Sequence, residues 1–315
     1  MGYLIRAVLI GLVGFALGCF GQAALEPAEA GADFPVQGEY SSRDPALGAQ
    51  VVARGGGTFS VSFFDGGLPG AGADLASRQV FEGAWEGSSV LFDGPWQLRI
   101  EADMLHGVRP AGDAFSLPKI QRESPTLGAL PPEGAVVLFD GKGPGGFDGE
   151  VDSRGLLEAG AESREAFGSF DLHLEFRTPF MPTSSGQGRG NSGVYLQNRY
   201  EVQVLDSFGE VGEWNECGGI YEVAKPDVNM ALPPLAWQTY DISFRAARFG
   251  DDGKKLAAAR VTVRHNGVVI HYDVELPGPT GLGDEESAAP GPLHLQDHWD
   301  PVFYRNVWLV PRPLL

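Results

Sequence analysis

The chain has 315 residues, 43% of them apolar and 10% aromatic, which excludes wholesale disorder and suits two domains. Its formal net charge of −18 excludes a nucleic acid partner, because binding a phosphate backbone needs a basic surface. Two cysteines exclude a disulfide-stapled scaffold and a Cys-rich zinc site, while 45 glycines and 23 prolines suit many short strands joined by turns.

In chain order, residues 1–23 read as an export signal. Arg6 precedes an apolar run, Ala7 to Leu17, that is too short to span a bilayer. Ala16-Leu17-Gly18-Cys19 is similar to a lipoprotein signal, which would place a lipid on Cys19; ordinary cleavage after Ala23 is the alternative, and both stay open. The expected location is therefore exported: the periplasm or cell envelope as a lipoprotein, or secreted. Any membrane contact runs only through a lipid anchor. Residues 24–33, rich in Ala, Glu and Pro, are expected to form a disordered tether.

From 34 to 121 the pattern predicts short strands at 58–64, 79–82, 90–92, 96–100 and 115–117, with Gly66-Gly67 and Asp93-Gly94 as turns. This is a small β-rich accessory domain, a barrel or a sandwich, with no evident chemistry of its own. Residues 122–134, with Pro125, Pro131 and Pro132, read as a stiff linker.

The region 135–311 is more regular. Phe170, Leu172, Leu174 and Phe176 alternate with Asp171, His173, Glu175 and Arg177, and Tyr240, Ile242 and Phe244 alternate with Asp241, Ser243 and Arg245. Each is a strand with one face in the core. Two apolar runs flank Asn266-Gly267, a strong hairpin signal. His265 and His271, which flank that turn, are expected at the surface. The lone thiol of Cys217 is expected to be a small buried hydrophobe. Two packed antiparallel sheets follow.

Strand alternation puts Glu201 and Gln203 on one face, Tyr195 and Gln197 on one face, and His294, Gln296 and His298 together if their strand runs that far. Carboxylate, amide, imidazole and aromatic groups on one sheet face suit sugar recognition; the wet side of a half-buried sheet is the plainer alternative. The glycine-rich stretch from Gly186 to Gly193 lacks the lysine and helix of a phosphate-binding loop, but Asn191 at its end is placed to point into a cleft. A metal site built from Glu201 and His298 stays open, without any local ligand spacing to support it.

From Val137-Leu138-Phe139-Asp140-Gly141-Lys142 onward the chain resembles the 3-keto-disaccharide hydrolase domain family. The motifs follow in order: Gly168-Ser169-Phe170-Asp171-Leu172, Gly190-Asn191-Ser192-Gly193-Val194-Tyr195, Tyr200-Glu201-Val202-Gln203-Val204, Trp237-Gln238-Thr239-Tyr240, Gly291-Pro292-Leu293-His294-Leu295-Gln296-Asp297-His298, and Phe303-Tyr304-Arg305-Asn306-Val307-Trp308. The chain departs from the usual pattern at Trp299 and in the longer loop Asn215-Glu216-Cys217-Gly218-Gly219. The resemblance implies an all-β, concanavalin-like jelly-roll β-sandwich with its site on a concave sheet. It also implies cleavage of glycosides whose C3 hydroxyl a separate sugar 3-dehydrogenase has oxidised. On this reading Glu201 and His298 are the acid/base pair, or ligands of a divalent ion, the one cofactor that stays open; Asn191, Tyr195, Gln203, Gln296 and Arg305 orient an oligosaccharide or glycoside substrate. A non-catalytic lectin-like protein and a conventional glycosidase with paired carboxylates are the alternatives.

Overall fold

The structure is a computed structural model describing residues 23–313; the signal segment, with Cys19, lies outside the described residues apart from its last position. The first unit is an eight-stranded closed barrel of β1 (Gly38–Arg43), β2 (Ala46–Gly55), β3 (Thr58–Asp65), β4 (Gln79–Glu86), β5 (Ser89–Phe92), β6 (Gln97–Glu101), β7 (Met104–Val108) and β8 (Ala114–Ile120). Each strand pairs antiparallel with the next, and β1 closes the ring on β8, so no sheet edge is left open. Aromatic side chains fill it: Phe63, Phe81, Trp96 and Phe115 meet edge-on or tilted, with ring centroids 5.1–5.9 Å apart. The strands β1, β2 and β7 carry no turn-bounded alternation strong enough to announce them. In β2, Gly48 lies so close to the Gly67 carbonyl that any side chain would collide with backbone.

The second unit is a two-sheet sandwich. Its strands are β9 (Val136–Phe139), β10 (Phe147–Asp148), β11 (Leu157–Glu158), β12 (Ala161–Phe167), β13 (Ser169–Arg177), β14 (Ser192–Leu196), β15 (Tyr200–Val204), β16 (Gln238–Arg245), β17 (Arg248–Phe249), β18 (Lys255–Ala257), β19 (Ala259–His265), β20 (Val268–Leu276), β21 (Gly291–Leu295) and β22 (Phe303–Arg312). One sheet runs β10-β12-β21-β14-β15. The other runs β11-β22-β13-β16-β19-β20, with β9 also on β22 and the β17-β18 pair set apart. This is the expected all-β, jelly-roll architecture behind a β-rich first domain.

The alternation read from the sequence decides which face is inside. Phe170, Leu172, Leu174 and Phe176 of β13 and Tyr240, Ile242 and Phe244 of β16 meet Val194, Leu196, Tyr200, Val202 and Val204 of the facing sheet in one core. Each fully buried aromatic contributes about 2–3 kcal/mol of transfer free energy. Two hydroxyls bridge the sheets: Tyr240 donates to the Gln203 carbonyl at 2.7 Å, and Tyr304 lies 2.6 Å from Ser192 Oγ. The Asn266-Gly267 turn has both residues at positive φ, as a two-residue hairpin turn requires.

Three expectations are corrected. Residues 24–33 are not a free tether: Ala24 exchanges both backbone hydrogen bonds with Phe180, Glu26 pairs with Arg154 and Arg177, and Ala30 is buried against the barrel core. The Ala/Glu/Pro composition hides this because the anchoring partners come from distant strands. Residues 122–134 do not stand away from the domains as a spacer. Arg122 pairs with Glu39 of the barrel, Thr126 donates to Asp241 of the sandwich, and the Gly128 amide donates to Glu175. His265 and His271 are buried, one within 3.0 Å of Gln238 Oε1 and the other within 2.7 Å of the Gly218 carbonyl; burial pushes both imidazoles toward neutrality. Cys217 is buried as expected, its thiol pushed up to about 11 by burial.

The barrel grips the chain that leaves β15. Ser62 Oγ and Arg78 both donate to the Gly209 carbonyl, and Arg54 pairs with Glu210 at 2.8 Å. Just beyond that grip, residues 213–224 fold back along β15.

Candidate active site

Tyr195 on β14 sits opposite Glu201 on β15 and, on its other side, opposite His294 on β21. All three side chains have the parity opposite to the core residues, so they project from the outer face of the five-stranded sheet. The next row holds Gln203, Gly193 and, one residue past the end of β21, Gln296, whose backbone N–H donates to the Gly193 carbonyl at 2.8 Å. Gly193 is the centre of this patch. A side chain there would run deep into Glu201 Oε1, so the glycine opens the space that the carboxyl leans into.

Glu201 is only 2% exposed. Burial raises its carboxyl to about 7, the Tyr195 hydroxyl pulls the other way by donating to Oε2 at 2.8 Å, and the charge of Glu222 adds to the rise. A carboxyl that changes charge near neutral pH is what proton abstraction and return require. Burial and the adjacent carboxylate push the Tyr195 phenol up, so it stays a donor. His294, its ring 5.7 Å from that of Tyr195, is held toward neutrality by burial.

Two loops roof the row. The Glu201 amide donates to Thr280 Oγ1 at 2.8 Å, and Gly281, at φ +53°, passes close to both Tyr195 and Glu201. On the other side the Tyr221 amide donates to the Glu201 carbonyl, and the Tyr221 ring meets Trp214 edge-on at 5.0 Å.

At the far end of the patch, Asn191 and Gln203 converge on Gln187. Asn191 Nδ2 donates to the Gln187 carbonyl and to its Oε1, and Gln203 Nε2 donates to the same Oε1 at 3.2 Å. Asn191 Oδ1 is buried and accepts no hydrogen bond among the described residues. Its backbone amide donates to Asp300 Oδ2 at 2.8 Å; burial raises the Asp300 carboxyl, and His298 opposes that rise.

The expected residues thus divide. Glu201, Tyr195, Gln203, Gln296 and Asn191 share one patch. His298 lies at its Asn191 end, in the loop after β21, because the strand stops at Leu295 and does not carry the imidazole into the Glu201 row. Gln197 turns away, bonding the Phe167 carbonyl from a left-handed backbone.

Arg305 is elsewhere, and its expected role is corrected. It projects from the outer face of the opposite sheet, where its Nε donates to Glu175 Oε2 at 2.6 Å and its guanidinium stacks 4.0 Å from the Trp237 ring. It completes a structural network in which Glu175 also accepts from Asn306 and Gly128, and His173 meets Asp241 at 2.6 Å beneath the 122–130 segment. Strand parity leaves Arg305 two equivalent outer faces; only the sheet order says which one it is on. Sequence reasoning missed Gln187, Thr280, Gly281 and Asp300. The Pro277-Gly278-Pro279 and Gly281-Gly283 spacing marks a loop there, but nothing local says that it returns over Glu201.

Residues 134–310 match the sequence profile of the 3-keto-alpha-glucoside-1,2-lyase-like domain family. The chain belongs to this family. A crystal structure of a candidate glycosyl hydrolase from Parabacteroides distasonis ATCC 8503 is 32% identical, with a TM-score of 0.53 over 57% of this chain and 85% of that one. A second candidate glycosyl hydrolase from the same organism is 18% identical, with a TM-score of 0.42 over 57% of this chain and 95% of that one. No curated protein matches the sequence.

Among the described residues, no three His, Cys, Asp or Glu side chains converge to hold a metal ion. The Glu201 carboxyl meets the Tyr195 phenol and the backbones of Gly193 and Gly281, with the charge of Glu222 nearby.

Proposed function

We propose that the protein is a carbohydrate-active enzyme that cleaves the glycosidic bond of 3-keto-glycosides, with Glu201 as the proton-transferring group. Membership in the lyase-like family and the 32% identical candidate glycosyl hydrolase support the carbohydrate class. One observation carries the mechanism: a buried carboxyl, raised to about 7, held over a glycine gap by a tyrosine hydroxyl.

A ketone at C3 acidifies the C2–H bond. Glu201 takes that proton, the electron pair forms the enolate, and the enolate re-forms the ketone as the C1–O bond breaks. The departing alkoxide collects a proton, and water added across the new C1–C2 double bond completes a net hydrolysis. The surrounding amides and the Tyr195 hydroxyl orient the sugar hydroxyls, and Asn191 Oδ1 is a buried acceptor that such a hydroxyl would satisfy. His298, at the Asn191 end, is the candidate for returning a proton to the leaving group. Because Glu201 is covered, entry requires one of the two roofing loops to move before reaction.

The C3 ketone must be installed first, so we place the protein downstream of a separate sugar 3-dehydrogenase and, from its leader, outside the cytoplasm. A conventional glycosidase needs a second acid on the same face. Asp206, just past the end of β15, is instead buried in an ion pair with Arg189 at 2.7 Å, and Asp300 at the Asn191 end is tied to the Asn191 amide.

The deciding experiment incubates the protein with a disaccharide and with its 3-oxidised form, following sugar release by mass spectrometry. Cleavage of the oxidised form alone, lost in Glu201→Gln, is the expected result. Equal cleavage of both forms overturns the elimination route, and binding of both with no product makes the protein a lectin.

A further inference from the structure

Trp299 follows His298 directly and is a large apolar side chain left in solvent. It is 88% exposed, and its backbone sits at φ +62°, a left-handed conformation that a bulky residue rarely adopts. Its amide is pinned by Asp297 Oδ1 at 2.7 Å, which holds the turn, and its indole meets the His298 ring edge-on at 5.8 Å. A tryptophan kept in water on a strained backbone contributes little to the fold.

The indole borders a cavity of about 440 Å³ lined also by Glu158, Asp297, Asp300, Val302 and Phe303. This cavity adjoins the catalytic patch, because Asp300 lines it and also binds the Asn191 amide. We propose that Trp299 and this cavity form a second sugar subsite, which holds the leaving-group sugar of a neutral disaccharide. The inference rests on the functional reading above and names its substrate more closely.

The chemistry fits one class of ligand. The face of an indole matches the C–H face of a pyranose, and the carboxylates of Glu158, Asp297 and Asp300 accept hydrogen bonds from ring hydroxyls. Three carboxylates around the same cavity repel a uronic or sulfated sugar. A small alkyl aglycone would leave the subsite empty, so Trp299 matters for disaccharides and not for simple glycosides.

The test uses the full chain and a readout independent of cleavage. Binding of unoxidised maltose, methyl α-glucoside and choline is measured by calorimetry for wild type, Trp299→Gly and Trp299→Phe. Glycine suits the φ +62° backbone, so Trp299→Gly should keep or raise the melting temperature and remain a valid control. Expected results are maltose affinity weakened at least tenfold in Trp299→Gly, within threefold of wild type in Trp299→Phe, and unchanged for methyl α-glucoside. Wild-type maltose affinity in Trp299→Gly, no maltose binding by wild type, or choline binding tighter than maltose overturns the subsite. Trp299-dependent maltose binding without cleavage of a 3-keto-disaccharide leaves the subsite standing and removes only the proposed reaction.

Discussion

Replacing Glu201 with Gln separates the electrostatics of the site from its chemistry. The glutamine keeps the shape and can still accept from Tyr195, but it has no charge to bury. In the folded protein the carboxyl is raised from 4.5 to about 7, chiefly by burial. At about 1.4 kcal/mol for each tenfold change in proton affinity, that difference amounts to about 3 kcal/mol. Because the folded value is the higher one, the folded state holds the proton more tightly. The stabilisation from Glu201 is therefore complete below pH 4.5 and is lost between 4.5 and about 7. Glu201→Gln should track wild type at pH 4 and exceed it by about 3 kcal/mol at pH 8, read by urea unfolding at both values. Parallel pH profiles for the two proteins would refute the buried, proton-holding carboxyl. On the functional reading, the variant should also lose activity on a 3-keto-disaccharide, while wild-type kcat/KM rises with pH through about 7 as the base ionises.

Three further outcomes follow from the packing. Gly193→Ala forces the Glu201 carboxyl from its place, so kcat/KM should fall at least a hundredfold while urea unfolding shifts by about 1–2 kcal/mol. Arg305→Ala breaks the pair with Glu175 and should cost about 2–3 kcal/mol by thermal or urea unfolding, yet leave kcat/KM within twofold, because it lies on the opposite sheet. Glu175 is held down to about 2, against the penalty of burial, by His173, Asn306, the Gly128 amide and Arg305. Its contribution of about 3 kcal/mol is present above pH 4.5 and lost as pH falls toward 2, so Glu175→Gln should be destabilised at pH 7 and converge with wild type near pH 2.

The sequence by itself determined the regular strands of the sandwich and most of their inner faces, but not β1, β2 or β7 of the barrel. Period-two alternation in β13 and β16 announced which side chains enter the core, and Asn266-Gly267 announced a turn that needs two left-handed residues, because both signals are local. Alternation also paired Glu201 with Gln203 and set His294 apart from its core-facing neighbours. It could not say which strand would lie beside which. Strand order puts Tyr195 between Glu201 and His294, sets Gly193 beneath the carboxyl, and sends Arg305 to the far sheet despite its place in the same run of motifs. The ordered 24–33 segment, the docked 122–134 connection and the buried His265 and His271 were equally hidden, because their partners are tens to hundreds of residues away. The charge state of Glu201 belongs to the same class: a carboxyl is raised by the water it loses, and only the closed fold removes that water.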